Sequence, residues 1–198
     1  FGETAHRFGM KFGLTCLANE GYGASPPELR IAPGTFGAYG VEICPSKPGG
    51  LELIVKNLEE IALAFVEVDG FWLWPYDQGG CWCDECQPWG GNGFLRCCDA
   101  LGAMYHRHFP KAEIWLSTWK MDYFPKTQGE IACVLTWLDE QRPEWLSGIL
   151  TRQDEYVLPQ PLLDRKDQDR LPLVSFPEIS MFGSNPWAVT VCEVTKSG

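Results

Sequence analysis

Residues 51–74 read LELIVKNLEEIALAFVEVDGFWLW, and this stretch contains the two sequence patterns on which the fold depends, a helical apolar repeat and a short apolar run. Over residues 51–65, apolar side chains recur every three or four positions, which predicts a helix with one apolar face. Residues 70–74 form a short apolar and aromatic run, which is typical of a buried strand. The stretch therefore predicts one helix followed by one strand. The apolar face of the helix comprises mainly Leu51, Ile54, Val55, Leu58, Ile61 and Leu63.

The same alternation continues toward both ends of the chain. Short apolar, β-branched or aromatic runs predict five further strands, and longer helical patterns predict two further helices. The strands cover residues 12–17, 40–43, 114–118, 149–151 and 173–176, and the helices cover residues 94–109 and 130–140. Strands and helices that alternate at this spacing predict right-handed crossovers and a parallel sheet.

A second regularity lies in the connections after the predicted strands. These connections begin with polar or aromatic residues, among them Asn19, Ser46, Asp77, Trp119 and Glu178. Such groups line the catalytic face of a (β/α)8 barrel, whereas a doubly wound sheet gathers them only at its switch point. A whole barrel needs eight strands and ~250 residues. We therefore interpret residues 1–187 of this α/β chain as an incomplete TIM-type barrel of five to six strands, and residues 188–198 as a tail of unclear structure.

Composition narrows the range of partners. The chain has 198 residues, 45% of them hydrophobic, which is enough for one sizeable core. Lys and Arg number 16 against 26 Asp and Glu, and the net charge of −10 disfavours nucleic acid and anionic membranes. No apolar run reaches the ~18 residues of a membrane span. Nine Trp favour a carbohydrate partner, because Trp stacks on sugar rings. Composition does not indicate an oligomeric state.

The first residues read FGETAHRFGM, with neither an initiator Met nor the basic and then apolar order of a signal peptide. We expect this N-terminus to be cut. The localisation is therefore left open, and a secreted or periplasmic protein is compatible with the sequence.

The densest functional signal is VDGFWLWPYDQGGCWCDECQPWGGNGFLR, residues 68–96. An apolar strand ends at Trp74, Tyr76 and Asp77 come next, and two glycines allow a sharp turn. Three cysteines then appear in a C-x-C-x-x-C pattern: Cys81, Cys83 and Cys86.

An aromatic strand that ends in Asp and precedes C-x-C-x-x-C resembles the barrel glycoside hydrolases of domain of unknown function 4838, now partly glycoside hydrolase family 163. Families 20 and 84 are more distantly similar. The resemblance implies hydrolysis of O-glycosidic bonds in a glycan that contains N-acetylhexosamine. In families 20 and 84 two adjacent carboxyl groups assist the acetamido group and protonate the leaving oxygen. Asp77 matches the first of them, whereas Gln78 occupies the second position and cannot act as an acid.

A second candidate carboxyl group lies in LPLVSFPEISMFGSNPW, residues 171–187, where a short strand precedes Glu178. Sugar hydrolysis needs two carboxyl groups that flank the scissile bond. We expect Asp77 to orient or stabilise the reacting sugar and Glu178 to act as general acid or base. Alternatively, Asp77 caps its turn and Glu178 forms an ion pair on the rim. The candidate sugar-binding residues are Trp74, Tyr76, Trp119, Asp122, Asn185 and Trp187.

The cysteines allow two interpretations. Cys81, Cys83 and Cys86 suit a structural zinc site whose fourth ligand comes from Cys97, Cys98 or a distant His. Packing or a local disulfide would explain the same cluster without a metal. The remaining cysteines are expected to be isolated buried thiols, and they are Cys16, Cys44, Cys133 and Cys192.

Two other functions compete with the glycoside hydrolase. A carbohydrate-binding barrel without catalysis is compatible with Gln78, and a metal-dependent hydrolase would use the cysteine cluster itself. Against the second, zinc sites made only of thiolates are usually closed and structural. Trp115, Trp137 and Trp145 are predicted to belong to the core rather than to any site.

Overall fold

The computed structural model describes residues 1–32, 40–76, 80–141, 143–152 and 171–176. In these residues five parallel strands form one sheet, and each strand pairs with the next one along the chain. The predicted α/β fold with a parallel sheet is confirmed. The strands are β1 (Gly13–Leu17), β2 (Gly70–Trp74), β3 (Glu113–Ser117), β4 (Gly148–Arg152) and β5 (Leu173–Phe176).

Helices connect the first four strands. They are α2 (Gly50–Leu63), α3 (Gly93–His108) and α4 (Glu130–Gln141). A further helix, α1 (Gly2–Arg7), precedes β1 and was not predicted from the sequence. Because every strand is added on the same side of the previous one, right-handed crossovers place α2, α3 and α4 on one face of the sheet. None of the helices in the described segments is long and apolar enough to cross a membrane.

The core lies between this sheet face and the helices. Phe71 of β2 stacks on Tyr105 of α3 with ring centroids 4.0 Å apart, and the Tyr105 hydroxyl donates a hydrogen bond to Cys16 Sγ of β1 at 3.2 Å. Trp137 and Trp145 are buried, which confirms their predicted place in the core. The aromatic residues therefore fix the distance between the helices and the strands.

On the opposite face of the sheet, two tryptophans of the inner strands β2 and β3 pack against glycines of the flanking strands β1 and β4. A Cβ atom on Gly13 would lie 1.8 Å from the Trp72 ring, and one on Gly148 would lie 2.3 Å from the Trp115 ring. Both tryptophan rings therefore occupy the space that a side chain would take at a glycine of the neighbouring strand. Trp115 is half-buried here rather than fully enclosed.

One predicted strand, residues 40–43, is wrong. Glu42 and Ile43 form isolated antiparallel bridges with Glu20 and Arg30, outside the sheet. The short apolar run that predicted a strand arises because Ile43 is fully buried beneath the connection after β1. The predicted tail, residues 188–198, lies outside the described residues, as does most of the chain after β4.

Gly13→Ala tests the packing of tryptophan over glycine. The added methyl group would overlap the Trp72 ring, and overpacking of this kind costs ~1–3 kcal/mol. We expect that loss of unfolding free energy in urea titrations. Gly23→Ala is the control, because a Cβ atom there would meet nothing within 4 Å. Equal stability of the two variants would contradict the described packing.

Candidate functional site

Four cysteine side chains meet at the edge of the sheet where the strands end. Cys44 lies in the connection between β1 and α2, and Cys81, Cys83 and Cys86 lie in the connection between β2 and α3. Their four Sγ atoms all lie within 4.8 Å of one another. We call this group the four-cysteine cluster. It is the only group of this kind in the described residues.

The distances within the cluster suit a tetrahedral metal ion. Cys44 Sγ lies 3.8 Å from Cys83 Sγ and 3.9 Å from Cys86 Sγ, and the Sγ atoms of Cys81 and Cys83 are 3.6 Å apart. Zinc–sulfur bonds of ~2.3 Å in a tetrahedron separate neighbouring sulfurs by ~3.8 Å, whereas a disulfide joins them at ~2.05 Å. The thiols are free, so the cluster can bind a metal.

Polar residues surround one side of the cluster. The hydroxyl group of Ser46 lies 3.0 Å from Cys86 Sγ, and Arg96 of α3 donates a hydrogen bond from Nη1 to Ser46 Oγ at 2.8 Å. Hydrogen bonds, first from Cys81 and then from Ser46, lower the pKa of the Cys86 thiol. These contacts favour the thiolate of Cys86, which is the form that binds metals. The pKa of the Cys81 thiol is instead raised, first by its hydrogen bond with Cys86, and burial raises the pKa of the Cys83 thiol.

The structure corrects the prediction about the cysteines. The sequence predicts Cys44 as an isolated thiol, yet it completes the cluster. Cys97 and Cys98, predicted as sources of the fourth ligand, are fully buried in α3, and burial raises the pKa of both thiols. The sequence signal for Cys44 is its place beside Pro45 and Ser46, in a connection that begins at the same sheet edge.

The two tryptophans predicted at the strand ends are neighbours. Trp74 ends β2 and Trp119 follows β3, and their ring centroids lie 5.4 Å apart. Each exposes 8% of its surface, so most of each ring is covered. Lys120 Nζ lies 5.6 Å from the centre of the Trp119 ring. The structure thus brings together two of the predicted sugar-binding residues, Trp74 and Trp119, with Lys120 beside them.

Tyr76 and Asp122, two further candidates for sugar binding, both contact Glu130. The Tyr76 hydroxyl and the backbone N–H of Gly90 donate hydrogen bonds to Glu130 Oε1 at 2.5 and 2.7 Å. Asp122 Oδ1 accepts a hydrogen bond from the Glu130 backbone N–H at 2.8 Å, at the start of α4. Glu130 was missed in the sequence, because nothing local distinguishes it from an ordinary acidic residue in the first turn of a helix.

Four predicted site residues lie outside the described residues. They are the two candidate catalytic carboxyl groups, Asp77 and Glu178, and the candidate sugar-binding residues Asn185 and Trp187. Asp77 directly follows Tyr76 in the sequence, and Tyr76 is the last described residue after β2.

No protein-family model matches the chain, and searches of curated proteins and of solved structures found no match.

The buried Glu130 carboxyl group predicts a pH dependence of stability. Burial raises its pKa from a usual value of 4.5 to about 7. The folded state therefore binds more protons than the unfolded state between these values, so stability decreases as pH rises through this window. We expect Glu130→Gln to remove this decrease, which is on the order of 3 kcal/mol.

Denaturant titrations at pH 4.5, 6 and 8 would measure the effect. Glu140→Gln, at an exposed position of the same helix, is the matched control and should keep the wild-type slope. An unchanged slope in Glu130→Gln would show that this carboxyl group does not titrate in the window.

Proposed function

We propose that the chain is part of a (β/α)8-barrel glycoside hydrolase whose active site lies at the edge of the sheet where the strands end. The order of the strands supports the barrel. All five strands are parallel and are added in sequence, without the reversal that defines the switch point of a doubly wound sheet.

The face of the sheet opposite the helices also supports a barrel. Barrel interiors are filled by layers of side chains from alternate strands, and large residues there need small neighbours. Trp72 and Trp115 pair in register on β2 and β3, and they cover Gly13 and Gly148 on the flanking strands. This arrangement suits a curved inner surface.

The Trp74–Trp119 pair is the observation that carries the proposed function. It lies at the strand ends, which is where barrel enzymes bind their substrates, and Asp77 follows Trp74 by three residues. The uncovered part of these rings would contact the apolar face of a sugar. The preference for glycans with N-acetylhexosamine is supported by the sequence resemblance.

In the proposed reaction, Glu178 donates a proton to the glycosidic oxygen as the bond between that oxygen and the anomeric carbon breaks. Asp77 stabilises the positive charge that develops on the sugar, or orients its acetamido group. Water supplies the hydroxyl group that bonds to the anomeric carbon, and its remaining proton passes to the Glu178 carboxylate, which restores the acid. Gln78, which cannot act as an acid, favours the second candidate function, a carbohydrate-binding barrel without catalysis.

Asp77→Asn and Glu178→Gln test the enzyme. Each variant keeps its shape but loses a charge, and positioned acid–base groups contribute ~10²–10⁴-fold in rate. We expect losses of this order on aryl N-acetylhexosaminides, with unchanged melting temperatures. Asp84→Asn, at an exposed position among the cysteines, should keep full turnover.

Near-normal turnover in both variants would overturn the assignment of the carboxyl groups. A wild-type protein that binds the glycan in calorimetry and does not hydrolyse it would instead support the binding barrel.

We also propose that the four-cysteine cluster holds a structural zinc ion. Four thiolates fill all four tetrahedral positions, whereas a catalytic zinc keeps one position open for water or substrate. The ion would join the connection after β1 to the connection after β2. This arrangement disfavours the metal-dependent hydrolase, because no position remains for a substrate.

Elemental analysis should find one zinc per chain. Cys44→Ser and Cys86→Ser should each lose the metal and lower the melting temperature, because a structural zinc contributes to folding. Cys133→Ser is the control, since this half-buried thiol lies outside the cluster. A chelator that stopped turnover without lowering the melting temperature would contradict a structural role.

A further inference from the structure

Asn19 connects the two segments that supply the cluster. It lies two residues after β1, it is fully buried, and its side-chain amide makes three hydrogen bonds to backbone groups. Nδ2 donates to the carbonyl oxygens of Ile43 and Gly80 at 3.0 and 3.1 Å. Oδ1 accepts from the backbone N–H of Gly80 at 3.0 Å.

The backbone of Asn19 adds a fourth bond. Its carbonyl oxygen accepts from the Ile43 N–H at 2.8 Å. The N–H and the C=O of both Ile43 and Gly80 are therefore all bonded to this one residue. Asn19 thus links the backbone at Ile43 to the backbone at Gly80 by hydrogen bonds.

These contacts lie immediately beside the metal ligands. Ile43 directly precedes Cys44, and Gly80 directly precedes Cys81. Gly80 has a φ of +117°, which residues with a side chain rarely adopt, so the bonded residue itself has a backbone conformation that favours glycine. The Asn19 side chain therefore bonds to the backbone of both connections at the residue before a cysteine.

We propose that Asn19 is the positioning residue that holds Cys44 and Cys81 at metal-binding distance, so that the four-cysteine cluster is preformed before a metal enters. The inference rests on the proposed zinc site. A preformed site spends less binding free energy on ordering its ligands, and loss of residues that orient metal ligands typically weakens metal binding 10–100-fold.

The test compares metal binding by the wild-type chain, Asn19→Ala and Asn19→Asp. The alanine variant removes all three side-chain bonds. The aspartate variant keeps the shape and the bond from the Gly80 N–H but loses both donated bonds, so it serves if the alanine variant does not fold. Asn57→Ala is the matched control, because Asn57 lies on α2, about two turns beyond its first residue.

Zn²⁺ affinity would be measured by competition with a chromophoric chelator, at a temperature at which every variant is folded. Co²⁺ loading would report the ligand geometry through its sulfur-to-cobalt absorption. We expect the Asn19 variants to bind Zn²⁺ about 10–100-fold more weakly, with a reduced cobalt band, and Asn57→Ala to match the wild type.

The outcomes separate the two proposals. If the wild-type chain binds neither metal, the zinc site fails and the inference fails with it. If the wild type binds both metals and the Asn19 variants match Asn57→Ala in affinity and spectrum, the zinc site stands and the positioning role is overturned. A lower melting temperature alone, with unchanged metal binding, would show that Asn19 only stabilises the fold.

Discussion

The parallel pairing of β1 with β2 is the interaction on which the rest of the edge depends. Leu17 pairs with Trp74 at the strand ends, and the next N–H, that of Ala18, donates to the Trp74 carbonyl oxygen at 3.1 Å. The connection after β1 and the connection after β2 therefore begin side by side at the same edge of the sheet. A shift of one residue would turn Trp74 toward the helices and separate the segments that carry the cysteines.

Burial alone does not separate the packing cysteines from those of the cluster, because Cys44, Cys81 and Cys86 are also buried. Burial raises the pKa of the Cys16, Cys97 and Cys98 thiols, as it does that of Cys83 in the cluster. Cys16, Cys97 and Cys98 lie outside the four-cysteine cluster and pack in the core. The thiols of the cluster instead face one another, Ser46 and, through Ser46, the charge of Arg96. A dication would supply the positive charge that four neighbouring thiolates need. The separation between packing cysteines and ligand cysteines thus follows from their neighbours.

The sequence predicted the features that depend on local periodicity. The strands of the sheet follow from short apolar runs, and the three main helices follow from apolar residues spaced three to four positions apart. The C-x-C-x-x-C pattern brings three thiols together within one connection. Cys44 could not be assigned in this way, because it is 37 positions from Cys81 and meets it only through strand pairing. The same holds for Asn19 and Glu130, whose partners lie on other connections. The prediction at 40–43 was wrong because burial beneath a connection requires apolar residues just as burial in a sheet does.

The glycines explain why this connection would need a metal. Residues 79–93 contain five glycines, and ordering glycine costs more conformational entropy than ordering any other residue. Close packing requires three of them: a Cβ atom would lie 2.8 Å from the Glu130 carboxyl at Gly90, 2.4 Å from Cys133 at Gly91 and 2.5 Å from the Trp89 ring at Gly93. The segment therefore cannot be stiffened by larger residues at these positions. Cross-linking three of its cysteines to Cys44 through an ion would restrict it without adding volume, immediately beside the segment that carries Asp77.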